Sequence, residues 1–422
     1  MFSSQTQHVA IWGVSSISIA LMLFRPFGVP EFVWTAAGAL LLCVLRLIPI
    51  RLAGHAVAEG MDVYLFLTGM MLLSELAKKN GVFDWLANIA VKRADGSSRH
   101  LFALIYGVGT AVTIFMSNDA TAVVLTPAVL SAVRRAKAEP MPYLFACALI
   151  ANAASFVLPI SNPANLVVFH ASMPPLAKWL GMFMLPSVIS IAATYLLLRW
   201  YCRKQLAAAC NGSDVEVHLS PVGKVSLLGI LAVAVVLLIA SALKMDLGMP
   251  TCIAAILVAL IVLISGRSSP AYLVREISWS ILPLVASLFV IVEAVKSAGA
   301  LPMLQAAAEH AMQWPRIEGA LVLAGAVGIG TNLVNNLPLG LIAGATLHSI
   351  TVRPFLSQVV LIAVDLGPNL SITGSLATIL WLIAIRREGM HVSGWQFLRA
   401  GMLIMPISLV LAIGGALLFG GH

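Results

Sequence analysis

Long stretches of this chain are apolar on every face, and short polar connections separate them. The stretches fall at about 8–24, 31–49, 61–77, 101–133, 141–171, 180–200, 223–243, 249–265, 279–298, 317–351, 355–385 and 398–419. Runs such as Leu227 to Leu243 lack the alternation of polar and apolar positions that a membrane β-barrel needs. A helix needs roughly 20 apolar residues to cross the hydrocarbon core, so the pattern accommodates about ten crossings. The expected fold is an all-α polytopic membrane protein. Residues 1–7 hold no Lys or Arg, and Arg25 follows the first apolar run. That order is the reverse of a secretory signal, so the first helix is expected to be retained, with its N-terminus outside. The longest polar stretch, Arg203 to Lys224, reads as a cytoplasmic linker (203–222) between a first half (1–202) and a second half (223–422).

Four of the stretches are interrupted by polar residues. Segment 101–133 is broken at Ser117-Asn118-Asp119, and it is too long for one upright span and too short for two. Both flanks are basic: Lys92, Arg93 and Arg99 before it, Arg134, Arg135 and Lys137 after it. A re-entrant hairpin keeps both clusters in the cytoplasm, as basic loops prefer. The counterpart hairpin, 317–351, has only Arg316 and Arg353 as flanks and is expected to enter from outside. Segments 141–171 and 355–385 are expected to cross but to unwind, between Asn152 and Asn165 and between Asp365 and Thr378. Pro159, Pro163 and Pro368, with Gly367 and Gly374, favour the unwinding. Each half then has five spans, one of them broken, plus a hairpin, and an odd number makes the repeat inverted. On this topology Arg199, Arg203, Arg267, Arg275, Arg386 and Arg387 come out cytoplasmic, whereas Arg46 and Arg51 come out outside and do not fit.

Composition agrees. Sixty per cent of the 422 residues are hydrophobic and 10% are charged, against about 25% charged in soluble domains. A soluble globular body is excluded. The net charge of +8 reads as basic loops that set orientation rather than a nucleic-acid surface. The nine Trp lie mostly near span ends, as interfacial anchors would. The five Cys (Cys43, Cys147, Cys202, Cys210, Cys252) form no metal or disulfide spacing. No nucleotide, zinc-peptidase or hydrolase motif stands in a usable context, so no cofactor is implied.

The halves repeat. Glu75, Lys78 and Gly81 match Glu293, Lys296 and Gly299 at identical spacing. Asn118-Asp119 matches Asn335-Asn336, and Pro163-Ala164-Asn165 matches Leu376-Ala377-Thr378, at nearly the same offset. An internal repeat with polar breaks at corresponding places is the sequence mark of a secondary transporter.

The breaks also hold nearly all the polar residues at bilayer depth, where polar groups default to a functional reading. Irregular backbone there must be buried in protein or line a cavity, so the four breaks are expected to meet. The expected substrate-binding set is Ser117, Asn118, Asn152, Ser155, Asn162, Asn165, Asn335, Asn336, Asn369, Thr373, Ser375 and Thr378. Thr121, Ser161, Asn332 and Ser371 lie in the same breaks. Some of these Asn and Ser are alternatively half-helix caps. No Arg or Lys stands in the breaks, and the ionisable groups are Asp119 and Asp365. A multiply charged anion would meet two carboxylates and no fixed cation; a neutral hydroxylated solute would meet donors and acceptors. A carboxyl group shielded from water holds a proton more readily, so Asp119 and Asp365 are expected to couple transport to protons. Glu75 and Glu293, each with a Lys three residues on, read as interfacial ion pairs with a gating role as the alternative. His170 and His348 read as interfacial.

Ser117-Asn118-Asp119 running to Leu125-Thr126-Pro127, Asn335-Asn336-Leu337-Pro338, and above all Asp365 to Leu382 resemble the bacterial arsenite efflux permease family of the ion transporter superfamily. The resemblance covers essentially the whole chain. It implies a transporter of the bacterial inner membrane that exports arsenite and antimonite in exchange for protons. Some relatives also partner a soluble arsenite-stimulated ATPase. Arsenite at neutral pH is an uncharged trihydroxy acid, which suits an amide and hydroxyl cage. Asn152 is a departure, because some relatives carry an acidic residue there. The alternatives on the same fold are a sodium/proton antiporter and a carboxylate transporter. An intramembrane enzyme built on paired Asp residues and a passive channel are the readings from other classes.

Overall fold

A computed structural model of the chain describes residues 4–169, 173–210, 218–266, 269–349 and 354–419. His170, Arg267, Arg353 and linker residues 211–217 lie outside the described residues. The fold is helical, with no strand beyond one isolated bridge, Ser97 to Ala209, among the described residues. In hydrocarbon each backbone group needs a partner within the protein, and a helix supplies it within the segment. Among the described residues eight helices are long and apolar enough to cross a membrane; Ile50–Glu59 and Met61–Lys79, bent by 46°, make a ninth candidate. Outward-facing Leu228, Ile239, Ile253, Ile264 and Val410 are exposed, as a lipid-facing surface requires.

The first half runs Ser4–Phe24, Glu31–Val44, the bent pair, Val82–Arg93, then the hairpin arms Ser98–Phe115 and Ala120–Arg135, the broken helix, and Leu176–Tyr201. The second runs Pro221–Ala242, Gly248–Gly266, Pro270–Glu276 with Ile281–Val295, Leu301–Gln313, the arms Arg316–Val334 and Asn336–Ser349, the broken helix, and Gly394–Phe419. The order of elements is the same in both. Contacts between halves come in matching pairs. Met61–Lys79 packs on Gly248–Gly266, and Ile281–Val295 packs on Glu31–Val44. Pro163–Phe169 packs on the arm Asn336–Ser349, and Leu376–Arg387 packs on Ala120–Arg135. The two 26-residue helices, Leu176–Tyr201 and Gly394–Phe419, pack on each other.

The repeated Glu-x-x-Lys-x-x-Gly motif has one structure in both halves. Gly81 and Gly299 have φ of 72° and 89°, a left-handed conformation that glycine adopts without a Cβ clash. Each turns the chain from a long helix into a shorter one, Val82–Arg93 or Leu301–Gln313. These two less apolar helices are additions to the apolar stretches read from sequence.

Several contacts gather the basic residues at one end of the bundle. Tyr143 Oη donates to the Ser98 carbonyl at 3.1 Å, so the hairpin's first arm starts beside the helix that follows its second arm. Arg134 donates to the Glu388 carbonyl and Arg135 to Asn88 Oδ1. The Cys210 amide donates to the Gly96 carbonyl at 2.9 Å, docking the start of the linker on the same end. In the second half Gln305 Nε2 donates to Ser349 Oγ, tying Leu301–Gln313 to the end of the arm Asn336–Ser349. Not every Trp is an interfacial anchor. Trp179 and Trp381 are fully buried; Trp179 packs on Phe169 and Phe183, and Trp381 on Phe145 and Phe397.

Candidate transport site

Each broken helix unwinds over a shorter stretch than its polar residues span. Met141–Ala153 includes Asn152, and the chain becomes helical again at Pro163. Pro354–Leu366 includes Asp365, and the helix resumes at Leu376. Pro163 stands at the first position of its half-helix, where a missing N–H costs nothing. Gly367 is pressed against the second hairpin: a Cβ there would lie 2.6 Å from Gly328 Cα.

The four breaks converge. Asn118 and Asp119, Asn162 and Pro163, Asn336 and Leu337, and Ser375, Leu376 and Ala377 line one central recess, closed from the side by Leu67 and Ile281. Its free volume of about 10 Å³ is about that of one water. Four helix N-termini lie at these breaks, and each is capped by its own break residue. Asn162 Oδ1 accepts from the Ala164 amide at 3.0 Å and Ser375 Oγ from Ala377 at 3.1 Å. Asn335 Oδ1 accepts from Leu337 at 3.3 Å and Ser117 Oγ from Ala120 at 3.1 Å. Helix N-termini carry partial positive charge, so the recess favours electron-rich oxygen atoms. Asp119 opposes that field with one carboxylate.

Not all the expected site residues reach the recess. Asn152, Ser155, Asn165, Asp365, Asn369 and Thr378 form a fully buried network beside it. Asn152 Nδ2 donates to Asn369 Oδ1 at 3.0 Å and to Thr378 Oγ1 at 3.3 Å. Asn369 Nδ2 donates to the Leu149 carbonyl. Asn165 Nδ2 donates toward the carbonyls of Ser155, Leu158 and Pro159 in the unwound stretch. Asn335 Nδ2 donates to the Thr373 carbonyl at 3.2 Å, and Thr373 Oγ1 donates to the Asn332 carbonyl. These amides satisfy irregular backbone at a depth where water cannot.

The two carboxylates have different surroundings. Asp365 is fully buried; Ser155 Oγ donates to its Oδ2 at 2.7 Å and Asn162 Nδ2 to its Oδ1 at 2.8 Å. It therefore reaches the recess only through Asn162. Asp119 has no hydrogen-bond or ion-pair partner among the described residues. Its side chain lines both the recess and a larger cavity of about 60 Å³, walled also by Phe66, Leu67, Met70, Glu75, Ser117 and Ser278. Three acceptors nearby also lack partners: Asn118 Oδ1, Asn152 Oδ1 and Asn165 Oδ1. Leu67 and Ile281 were invisible as site residues, because each stands in a uniformly apolar run. Asn332 was legible as part of the second tip but not as its hub.

All five cysteines are free, and among the described residues no cluster of His, Cys, Asp or Glu could hold a metal.

Comparison with known proteins fits this geometry. The arsenical pump membrane protein of Escherichia coli K12 is 24% identical to the chain, covering 93% of it and 95% of its own length. The putative arsenical pump membrane protein of Bacillus subtilis strain 168 is 23% identical, with coverage of 94% and 96%. Among solved structures the YdaH transporter of Alcanivorax borkumensis, described as having an unusual topology, shares the fold. Its TM-score is 0.56 at 16% identity, over 87% of this chain and 86% of that one. The chain is thus related to the bacterial arsenical pump membrane proteins and is a multi-pass protein of the bacterial inner membrane. The model of the citrate transporter family matches residues 14–385, and the chain belongs to that family of membrane transporters.

Proposed function

We propose that the chain is a secondary active transporter that exports arsenite, and antimonite, from the cytoplasm in exchange for protons. The observation that carries the reading is the recess: amides, a hydroxyl and four helix N-termini around one carboxylate, with no Lys or Arg in its lining. With the recess widened beyond the one-water volume of this conformation, a neutral trihydroxy acid donates to Asp119 and Asn118 Oδ1 while its oxygens accept from the amides. The names of the relatives support the substrate class.

The basic end is assigned to the cytoplasm, because basic loops stay inside. The second half is assigned the inverted topology, its hairpin entering from the other side, with residues 203–222 as the linker between repeats 1–202 and 223–422. Asn118, Asn162, Asn336 and Ser375 are assigned to the substrate. Asp119 exchanges the coupled proton through the open cavity, and Asp365 responds through Asn162. The remaining residues of the expected set hold the breaks in shape.

The family description favours a second reading, a carboxylate substrate. Four N-termini would welcome a carboxylate; Asp119 and the absence of a lining cation weaken the fit for a multiply charged one. Everted membrane vesicles separate the two readings. Arsenite should accumulate when the vesicle interior is made acid, and excess citrate should not compete. Citrate uptake without arsenite uptake would replace the first reading with the second. Collapse of the pH gradient by sodium alone would indicate a sodium/proton antiporter.

A further inference from the structure

The Glu75 and Glu293 motifs stand in two separate cavities. Glu75 lines the cavity that reaches Asp119, with Ser278 and Ile281 at the start of the helix Ile281–Val295; the proposed topology assigns it to the basic end. Glu293, near the other end of that same helix, lines a cavity of about 160 Å³ with Val167, Leu341, Lys296, His348 and Glu59, assigned to the opposite end. The two cavities are built from matching positions. Val124 and Leu380 wall the first; Leu341 and Val167, their counterparts in the hairpin and broken-helix repeats, wall the second. The first cavity continues into the central recess, sharing Leu67, Asp119, Pro163 and Ile281 with it; the second shares no lining residue with it.

We infer that Glu75 and Glu293 are the matched proton-loading groups of the two faces, one at each entrance to the recess. The inference rests on proton exchange as the coupled reaction. In the basic-end cavity the ionisable lining groups are Glu75 and Asp119, so a proton leaving Asp119 meets Glu75 next. The O–H bond breaks at Asp119, water in the cavity carries the proton, an O–H bond forms at Glu75, and Glu75 then releases it to the cytoplasm. Glu293 takes a proton from the outer medium by the reverse sequence when the other cavity is the open one. Each glutamate keeps a Lys partner one helical turn on: Lys78 Nζ lies 3.2 Å from both Glu75 oxygens, and Lys296 Nζ lies 2.6 Å from Glu293 Oε2. The ammonium offsets the ionised form between transfers. Other charged groups face the pairs. Glu276 acts on Glu75 from the neighbouring helix Pro270–Glu276. Glu59 and His348 share the cavity of Glu293.

The test compares E75Q and E293Q in everted and right-side-out vesicles, with pH varied on one side at a time and arsenite flux read. E75Q should flatten the dependence on cytoplasmic-side pH and leave the dependence on outer-side pH. E293Q should do the opposite, and E75D and E293D should restore each profile. If the wild type is coupled and both variants keep its two profiles, or if both variants lose both dependences alike, the assignment is wrong. A wild type indifferent to pH on either side overturns the exchange reading and this one together.

Discussion

The two hairpin tips occupy matching places in the repeat but are held differently. The second is clamped. Asn332 Nδ2 donates to the carbonyls of Gly328 and Gly367, and Asn332 Oδ1 accepts from the Ser371 amide and from Ser371 Oγ at 2.7 Å. Asn335 has φ 74° and ψ 154°, a region nearly reserved for glycine that costs roughly 1–3 kcal/mol and persists only when its surroundings enforce it. Its bonds to Thr373 and Leu337 are that enforcement. The first tip is held to its broken helix more lightly, by Ser161 Oγ donating to the Ile114 carbonyl at 3.0 Å. Ser117 caps the start of the second arm, a π-helical turn follows over Ala120–Leu125, and Thr113 and Thr121 bond each other at 2.8 Å. Asn118 Oδ1 and the Asp119 carboxylate stay unpartnered there. The polar groups spent on fixing the second tip are left free on the first, and the open cavity leads to that first tip. On the proposed reading the first tip supplies the groups free to exchange substrate or protons, and the second presents Asn336 to the recess from a fixed frame.

The sharpest way to break this comparison is Asp119→Asn. Proton-driven arsenite accumulation should fall by about 5- to 150-fold, the usual size of a coupling between sites, while the protein inserts normally. The exchanged pair Asp119→Asn with Asn336→Asp returns one carboxylate to the same recess from the opposite tip. Partial recovery in vesicle flux is expected, because both positions line the recess. Recovery to the full rate would show that the two tips are interchangeable, and the division of roles would fail.

Asp365→Asn should come next in size. The amide Oδ1 can keep the Asn162 Nδ2 donor and its NH2 can donate to Ser155 Oγ, whose proton then goes to the Asn152 carbonyl at 2.7 Å, so what is lost is the charge assistance of the two bonds, about 1 kcal/mol. The expected result is a lower unfolding temperature in detergent together with lost transport. Unchanged stability with full transport would remove Asp365 from the mechanism. An effect on stability rather than on coupling separates the tips directly. Asn332→Ala should destabilise by about 2–3 kcal/mol, because the carbonyls of Gly328 and Gly367 lose a donor. Ser117→Ala loses a helix cap worth about 1 kcal/mol. Thermal unfolding of the two variants side by side checks the order, and equal losses would deny the clamp.

How much of this was legible in the sequence follows from the solvent. Lipid forces helices to be apolar all round, so the long segments and the four interruptions within them stood out. Val82–Arg93 and Leu301–Gln313 did not, because they are short and carry polar residues through their length. The polar residues of the breaks were identifiable as a set, and the recess does gather Asn118, Asp119, Asn162, Asn336 and Ser375. Sequence could not sort caps and backbone partners from recess-facing groups. Asn165 and Asn162 are three residues apart, yet one turns to three carbonyls and the other joins Asp365 to the recess. That sorting depends on contacts such as Asp365 to Ser155, 210 positions apart in the chain. The apolar lid of Leu67 and Ile281 gave no signal, since burial against lipid and burial against a site select the same side chains.

The smallest expected effect concerns Cys147. It is buried in the helix Met141–Ala153, and its counterpart in the second broken helix is Val360. Trivalent arsenic binds thiolates tightly, and a thiol five residues before Asn152 is the obvious soft ligand. The geometry argues against it. Cys147 lines neither the recess nor the cavity beside it, and the other four cysteines line neither of them. A tight thiolate site would also oppose release. Cys147→Val, which makes the first half match the second, exchanges one small apolar side chain for another and should cost under about 1.5 kcal/mol. Arsenite flux should stay close to the wild-type rate, with the same pH dependence. Loss of flux in a variant that unfolds at the normal temperature would place the thiol in the substrate's path and make the first broken helix, not the first hairpin, the functional half of the repeat.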